Sequence, residues 1–196
     1  MLKRSFDIVF SGIGIVFLTP VFFTIIILQL INSGFPIFYI QNRVGKNNID
    51  FKLYKFRTMF IQSDKKGLLT IGGRDSRVTK LGYYLRKYKL DELPQLFNVF
   101  FGTMSLVGPR PEVRKYVDLY STQQLKVLSV KPGITDYASL EFINENELLL
   151  QASQPEQTYI NEVMPEKLNL NLKYIDEKNM LVDFKIILKT ILKIAK

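Results

Sequence analysis

The stretch IVFSGIGIVFLTPVFFTIIILQLI, Ile8 to Ile31, decides the fold, because no residue from its start to Asn42 carries a charge. A bilayer core about 30 Å thick needs about 20 helical residues to cross, and this run is longer. A cleaved signal peptide is not indicated, since the apolar run is too long and no A-x-A-like site follows it. The sequence therefore predicts a membrane segment.

Two arrangements of this segment are open. An ordinary kinked spanning helix would keep its basic flank on the cytoplasmic side only, whereas here Lys3 and Arg4 precede the segment and a second basic cluster follows it. Thr19-Pro20 would kink the helix into halves of roughly 12 residues, about 18 Å each and too short to cross alone. The Thr19 hydroxyl could satisfy a carbonyl that the proline leaves free. We therefore expect a re-entrant helix–break–helix over residues 1–35, with the spanning helix as the alternative.

The composition narrows the chemistry. The 27 Lys and Arg against 18 Asp and Glu give a net charge of +9, which favours an anionic partner: a nucleic acid, a lipid surface or a phosphorylated substrate. The absence of cysteine excludes disulfides and thiolate chemistry. The absence of histidine removes the usual general base, so any metal would be a hard cation bound by oxygen, with Mg²⁺ the first candidate.

The chain after the membrane segment is predicted to form a small globular domain. Two β-rich runs, Ile37–Gln41 and Phe51–Phe56, flank a Gly/Asn/Lys turn and predict a short hairpin. Ser105–Val113 is expected to be a loop and Lys131–Thr135 a tight turn, because both contain proline and glycine. The polar, acidic stretch 141–166 is helix-prone, and we expect no chemistry there.

Two helices are predicted in the middle of this domain. Asp75 or Ser76 is the expected N-cap of the first helix, which carries apolar residues at helical spacing. Pro94 is expected to open the second helix, Gln95–Phe101, because proline is tolerated in the first helical turn. Two adjacent acids at the junction would then lie near a helix N-terminus, where the helix dipole favours their ionised form.

The chain ends in DFKIILKTILKIAK, Asp183 to Lys196. At 3.6 residues per turn its lysines share a helical arc of about 80° and isoleucines lie opposite. The lysines are Lys185, Lys189, Lys193 and Lys196, and the isoleucines are Ile187, Ile191 and Ile194. This pattern is typical of a helix at a membrane surface, and an amphipathic helix of the protein core is an equal alternative.

Asp91 and Glu92 are the candidate catalytic residues. An ionised carboxylate is already a competent nucleophile, and attack on a phosphoryl group requires only that the phosphate charge be neutralised. Asp91 could therefore form an acyl phosphate, while Glu92 holds a metal or assists the leaving group. The dipeptide ahead of Leu93-Pro94 is also an ordinary helix start, and from these residues alone that interpretation stays open.

The candidate phosphate-binding residues are arginines in turns or at helix ends. A guanidinium fork suits phosphate oxygens, although a single arginine is more often part of a surface ion pair. The set comprises Arg57, Arg74, Arg77, Arg86 and Arg110. Arg110 is distinctive because Pro109 and Pro111 restrict its backbone, which lowers the entropy lost on binding.

These motifs, taken together, resemble the small monotopic phosphoglycosyl transferase family of bacterial sugar transferases. The resemblance extends over nearly the whole chain, and LDELPQL followed by SLVGPRP is its most specific part. The matching segments are KRSFD (Lys3–Asp7), QNRVGK (Gln41–Lys46), KFRTM (Lys55–Met59), RVTKLGYYLR (Arg77–Arg86), LDELPQLFNV (Leu90–Val99), MSLVGPRPEV (Met104–Val113), KPGIT (Lys131–Thr135) and DFKIILKT (Asp183–Thr190).

The resemblance implies a mostly helical α+β fold, with a re-entrant membrane helix kinked at Thr19-Pro20, a globular catalytic domain (36–182) with a short hairpin, and a basic amphipathic helix (183–196). It implies an Asp91-Glu92 dyad with Mg²⁺ bound by both acids. The implied reaction moves a sugar-1-phosphate from a UDP-sugar to polyprenol phosphate and releases UMP, through a phosphosugar on Asp91. This would be the first membrane step of glycan assembly.

The same resemblance implies a place at the cytoplasmic face of the bacterial inner membrane, in contact with lipids. We expect Lys3 and Arg4 near the lipid phosphate, with Arg57, Arg77, Arg86 and Arg110 at the donor. Larger relatives carry further membrane helices and a domain ahead of this core, so the chain is expected to be the minimal form. A homodimer is left open.

Several positions depart from the family pattern. Tyr88-Lys89 stand where Thr-Ser is frequent in the family, and Thr103 replaces the Asp of a common Gly-Asp-Met-Ser motif. PGIT is often followed by Gly-Trp, whereas here Asp136-Tyr137 follow, and Asn171 replaces a frequent Asp. These changes leave the dyad intact and leave the sugar undetermined.

Two other functions are weighed against the enzyme. A catalytically silent, membrane-tethered scaffold for glycan machinery would not depend on Asp91. A nucleic-acid binder is suggested only by the basic charge, and the acidic stretch 141–166 argues against it.

Overall fold

The computed structural model describes residues 2–63, 67, 69 and 75–194, with only the backbone at 194. Arg74 and Lys196, which the sequence patterns singled out, lie outside these residues. The described chain is mostly helical with two small two-stranded sheets. This content of helices and strands confirms the predicted mostly helical α+β class.

The elements follow one another as a long helix, a hairpin and a run of short helices with a second small sheet. The first half contains α1 (Leu2–Ser33), β1 (Phe38–Val44), β2 (Asp50–Phe56), α2 (Lys80–Lys87), α3 (Gln95–Phe101) and β3 (Ser105–Val107). The second half contains α4 (Arg114–Val117), β4 (Gly133–Thr135), α5 (Tyr137–Glu141), α6 (Glu145–Gln151), α7 (Pro155–Thr158), α8 (Met164–Glu177) and α9 (Met180–Ile194). A π-turn, Tyr159–Val163, joins α7 to α8.

Helix α1 is long and apolar enough to cross a membrane. It runs through Pro20 as one helical element, so the expected break between two half-helices is not confirmed. The Thr19 hydroxyl donates to the Ile15 carbonyl at 2.8 Å, one residue before the Val16 carbonyl that Pro20 deprives of its amide donor. The re-entrant path of α1 stays a prediction.

Both ends of α1 contact the globular part of the chain. Near its start, the buried Asp7 carboxylate accepts hydrogen bonds from the Ser105 hydroxyl and the Leu106 amide, each at 3.0 Å. Near its end, the buried Gln29 side chain donates to the Arg57 carbonyl at 2.5 Å. The helix is therefore held alongside the domain at two points of its length.

The predicted hairpin is confirmed, with strands longer than expected. Strands β1 and β2 pair antiparallel from Phe38 opposite Phe56 to Val44 opposite Asp50. Phe56 packs with Phe22 and Ile25 of α1, so apolar burial also fastens the hairpin to the helix.

The predicted cap of α2 is wrong. The Thr79 hydroxyl accepts the Gly82 amide at 2.9 Å and is the N-cap, whereas Asp75 forms an ion pair with Arg77 and Ser76 lies exposed. The Asp75 carboxylate binds the side chain and the amide of Arg77, and the Thr79 hydroxyl provides the cap of α2.

The loop and the turn predicted around Gly108 and Gly133 each contain a short strand. Strands β3 and β4 pair in parallel, and a Cβ added at Gly133 would lie 2.1 Å from the Gly108 amide nitrogen. Only two glycines allow this approach, which fixes the backbone leading to Arg110.

Helix α9 has three faces rather than the two predicted. Asp183 and Ile186 are buried, whereas Ile191, expected on the buried side, is 59% exposed. The exposed apolar residues form one stripe at helical spacing: Leu181, Phe184, Leu188, Ile191 and Leu192. The helix thus combines a buried face with an exposed apolar stripe, and its contact with a membrane stays a prediction.

Removing the Thr79 hydroxyl tests the observed cap. We expect Thr79→Ala to lower the free energy of unfolding by about 1 kcal/mol, since one amide of α2 loses its acceptor. Urea unfolding in detergent micelles measures it, with Ser76→Ala as the matched control. An equal loss in Ser76→Ala would restore the cap expected from the sequence.

Candidate active site

Asp91 and Glu92 lie on a single 3₁₀ turn, Leu90–Glu92, between α2 and α3. Lys89 opens the turn with a left-handed backbone (φ 55°), and Pro94 precedes α3, whose bounds match the prediction. The tight turn directs the two neighbouring carboxylates into different surroundings.

Glu92 is fixed by two cations. Its Oε2 accepts Arg110 Nη1 at 3.1 Å, its Oε1 accepts Arg110 Nη2, and Lys55 Nζ donates to Oε1 at 2.9 Å. Burial alone would raise the pKa of Glu92, but the charges of Arg110 and Lys55 and their hydrogen bonds hold it well below its usual value. Glu92 is therefore an anionic anchor for the two cations at neutral pH.

Asp91 is buried but lacks such partners. Within the described part of the chain no hydrogen bond or ion pair reaches its carboxylate, although the side chain lines a cleft. Burial and the neighbouring Glu92 charge raise the pKa of Asp91, while Lys55, Arg86 and Lys89 oppose that rise. An unpaired carboxylate surrounded by cations is suited to meet an incoming phosphate.

The cleft has a volume of about 630 Å³ and three chemically distinct parts. The apolar part joins α1 to α3, the central part holds the dyad with its cations, and the polar part lies on α5, α6 and α8. The apolar part is lined by Gly14, Leu18, Leu93 and Leu96. The volume lies within the usual range for ligand clefts, and the parts offer separate surroundings for a lipid chain, phosphates and hydroxyl groups.

The fit of the dyad to Mg²⁺ is uneven. The carboxylate of Asp91 is free to provide one oxygen ligand, whereas both oxygens of Glu92 already accept hydrogen bonds from cations. Among the residues with described positions, no group of three or more acids gathers that could hold a metal. Mg²⁺ often binds through one or two carboxylates together with substrate phosphates, so the site fits the ion through Asp91 when phosphates are bound.

Of the six phosphate-binding candidates that the structure describes, two line the cleft: Arg86 and Arg110. Arg86 donates from Nε to the Thr58 hydroxyl at 2.8 Å and Arg110 holds Glu92. Arg86 and Arg110 thus lie together in the cleft, and phosphate binding by either stays a prediction.

Arg57 and Arg77 support the backbone outside the cleft. Arg57 is buried and donates to the carbonyls of Ser33 and Gly34, at 2.7 and 2.6 Å, where α1 ends. Arg77 pairs with Asp75 and donates to backbone carbonyls of the preceding loop. Their predicted contact with phosphate has no support in this geometry.

Lys3 and Arg4 likewise make contacts within the protein. Lys3 forms an ion pair with the buried Asp183 of α9, and Arg4 donates to the Val99 and Phe100 carbonyls at 2.6 and 2.7 Å, at the end of α3. They fasten the start of α1 to α9 and α3, away from the lining of the cleft.

The chain matches the model of the bacterial sugar transferase family over residues 1–196. It belongs to that family. It is 37% identical to the uncharacterized sugar transferase EpsL of Bacillus subtilis (strain 168) over 99% of this chain and 87% of the relative. These matches confirm the resemblance drawn from the motifs.

Two further relatives have names that state a reaction. The UDP-N-acetylgalactosamine-undecaprenyl-phosphate N-acetylgalactosaminephosphotransferase of Aeromonas hydrophila is 41% identical over 71% of this chain and 34% of its own length. The UDP-glucose:undecaprenyl-phosphate glucose-1-phosphate transferase of Escherichia coli (strain K12) is 34% identical over 98% of this chain and 40% of its own length. The chain thus spans well under half of these two proteins, and their names differ in the sugar.

Sequence reasoning missed two residues of this sugar transferase that shape the site. Lys55 shares its face of β2 with the buried Leu53, and a cation on the core side of a strand is the signal that could have found it. Asp136, noticed only as a departure, is fully buried and accepts the Arg110 amide at 3.0 Å and the Ser139 amide at 2.5 Å. It caps α5 and fixes the Arg110 backbone.

The depressed pKa of Glu92 in this transferase predicts how stability depends on pH. A carboxyl whose folded pKa lies below its unfolded value of 4.5 stabilises the fold above that pH, and the contribution is lost as pH falls through the folded pKa. We expect Glu92→Gln to remove this part of the acid dependence. Unfolding measured at a series of acidic pH values for wild type and Glu92→Gln tests it, with the exposed Glu147→Gln as control. An unchanged slope in Glu92→Gln would contradict the anchored anion.

Proposed function

We propose that this protein transfers a sugar-1-phosphate from a UDP-sugar to polyprenol phosphate, releasing UMP, through a covalent phosphosugar on Asp91. The observation that carries the proposal is the contrast within the dyad: Glu92 is held by Arg110 and Lys55, while the adjacent Asp91 is unpaired and lines the cleft. The reactions stated in the names of the two relatives support it.

The reaction has two displacements at the same phosphorus. A carboxylate oxygen of Asp91 attacks the donor phosphorus that bears the sugar, and the bond from this phosphorus to the bridging oxygen breaks, so UMP leaves. An oxygen of the lipid phosphate then attacks that phosphorus, the bond to Asp91 breaks, and the carboxylate is regenerated. Both nucleophiles are anions, so neither displacement requires a histidine base.

The neighbouring cations lower the cost of bringing anions together. Arg110, Lys55 and Arg86 lie beside the dyad, where their charges oppose that of the donor phosphates. Glu92 keeps Arg110 and Lys55 in fixed positions, and it acts here as a positioning residue. The alternative role of Glu92 as a metal ligand would require one of these contacts to open, and a role in the departure of UMP would be indirect.

Mg²⁺ is part of the proposal through Asp91. The ion would neutralise donor phosphate oxygens, while the second oxygen of Asp91 stays available for attack. Glu92 would not be needed as a ligand, since Mg²⁺ often binds through one carboxylate together with substrate phosphates.

The contacts of α1 support a monotopic rather than a spanning arrangement. Asp7 near its start and Gln29 near its end both bind the same globular part of the chain, and Gly14 and Leu18, midway, line the cleft. A helix that crossed the bilayer would carry its middle away from a site that receives water-soluble donors. We therefore place α1 as a re-entrant or dipping helix at the cytoplasmic face of the bacterial inner membrane.

The apolar part of the cleft gives the acceptor a route to the dyad. Leu93 and Leu96 follow Glu92 along the chain, and a Cβ at Gly14 would lie 3.4 Å from the Leu96 side chain. A prenyl chain lying against this surface would deliver its phosphate to the cations around Asp91. The exposed apolar stripe of α9 would add to membrane attachment at the same interface.

Replacing the proposed nucleophile tests the assignment. We expect Asp91→Asn to reduce UMP release from a UDP-sugar and polyprenol phosphate by about a thousandfold or more, because the amide cannot form the acyl phosphate. The exposed Asp118→Asn serves as matched control and should keep wild-type release. Full release by Asp91→Asn would remove Asp91 as nucleophile, and an unaffected glycan phenotype in cells carrying it would favour the silent scaffold.

A further inference from the structure

The polar part of the cleft is built around an ion pair between two helices. Lys167 of α8 is buried, and its Nζ donates to Glu145 Oε2 of α6 at 2.9 Å. Both side chains line the cleft, together with Ser139 and Phe142. Phe142 and Glu145 belong to the stretch 141–166, where no chemistry was expected, and Ser139 and Lys167 flank it.

The charges of this wall are balanced. Glu145 is paired with Lys167, and nearby Glu112 is paired with Arg43 at 3.4 Å. Cations and anions therefore offset each other here, in contrast to the excess of cations around Asp91. Such a surface offers both donors and acceptors and has little net attraction for phosphate, so it suits a neutral ligand that carries several hydroxyl groups.

Ser139 adds an unused polar group to the wall. Its Oγ is buried and has no hydrogen-bond partner among the described residues. A buried hydroxyl without a partner is unfavourable, and a ligand hydroxyl that reaches it would relieve the cost. Phe142, on the same wall, offers an apolar surface of the kind that packs against the C–H face of a sugar ring.

Asp136 connects the wall to Arg110, the residue that binds Glu92. One oxygen of this buried carboxylate accepts the Arg110 amide at 3.0 Å, and the other accepts the Ser139 amide at 2.5 Å. The negative charge of Glu145 is close enough to contribute to the raised pKa of Arg110. The backbones of Arg110 and Ser139 are therefore held by the two oxygens of one side chain, and both residues line the same cleft.

We propose that Ser139, Glu145 and Lys167 form the subsite for the sugar of the donor and hydrogen-bond its ring hydroxyls. The proposal rests on the proposed function, in which the phosphorus attacked by Asp91 carries the sugar directly and the nucleoside lies one phosphate further away. The group adjacent to the reacting phosphorus is then the one that meets a wall next to Arg110. Asp136 is the positioning residue that sets the distance between the two.

The names of the relatives are consistent with a separate sugar subsite. Two of them share UDP and undecaprenyl phosphate but differ between N-acetylgalactosamine and glucose. Asp136, the N-cap of α5, thus positions the part of the site that is assigned here to the group that varies between these relatives.

Equilibrium binding separates the sugar from the nucleotide without requiring turnover. In the full-length Asp91→Asn background, calorimetric titrations with UMP, UDP-glucose, UDP-galactose, UDP-N-acetylglucosamine and UDP-N-acetylgalactosamine identify the tightest donor. Ser139→Ala, which removes no hydrogen bond of the described structure, and Glu145→Gln are then compared with the exposed controls Ser153→Ala and Glu147→Gln. Urea unfolding confirms that each variant is folded.

We expect Ser139→Ala to weaken binding of the tightest UDP-sugar by about 3- to 10-fold and Glu145→Gln by about 10-fold or more, with UMP affinity unchanged. The preference among the four sugars should narrow at the same time. An equal loss for UMP and the UDP-sugar would assign the wall to the nucleoside and overturn the proposal, as would no loss for either. If Asp91→Asn bound UMP but bound no UDP-sugar more tightly than UMP, the subsite would be refuted. If it bound none of these nucleotides, the proposed donor itself would be wrong.

Discussion

The ion pair between Glu92 and Arg110, with Lys55 as a third partner, is the contact on which the site depends. It joins the turn after α2 to the proline-flanked loop after β3 and to the inner face of β2. Breaking a buried pair by removing one partner leaves an unpaired charge, which is costly, so the three segments are held together as one unit. The pair also explains how the two neighbouring acids differ: both oxygens of Glu92 accept hydrogen bonds from cations, whereas Asp91 faces the cleft without such a partner among the described residues.

The second constraint is the attachment of α1 along the domain. Asp7 reaches β3, Gln29 and the carbonyls at the helix end reach Arg57, and the middle of the helix lines the cleft. Because β3 and β4 also fix Arg110, α1 and the loop that carries Arg110 share one support. The protein would therefore fix the position of a lipid acceptor held against α1 relative to the dyad.

The sequence was most informative where structure is local. Pro94 indicated the start of α3, and two β-rich runs on either side of a Gly/Asn/Lys turn indicated the hairpin, because turns and short strands are determined by near neighbours. It was least informative for long-range pairing: nothing near Arg57 or Lys3 indicates that one binds the end of α1 and the other Asp183. The role of Asp136 is of the same kind, since its two partners are brought together only by the pairing of β3 with β4.

The most direct test is to locate the covalent intermediate. The protein is incubated with its UDP-sugar and Mg²⁺ without lipid acceptor, digested rapidly under mildly acidic conditions, and its peptides are mapped by mass spectrometry. The account predicts a mass increase of one sugar phosphate on the peptide that contains Asp91, lost when polyprenol phosphate is added before digestion. A sugar phosphate on another residue, or efficient transfer to lipid with no adduct at any time point, would contradict it.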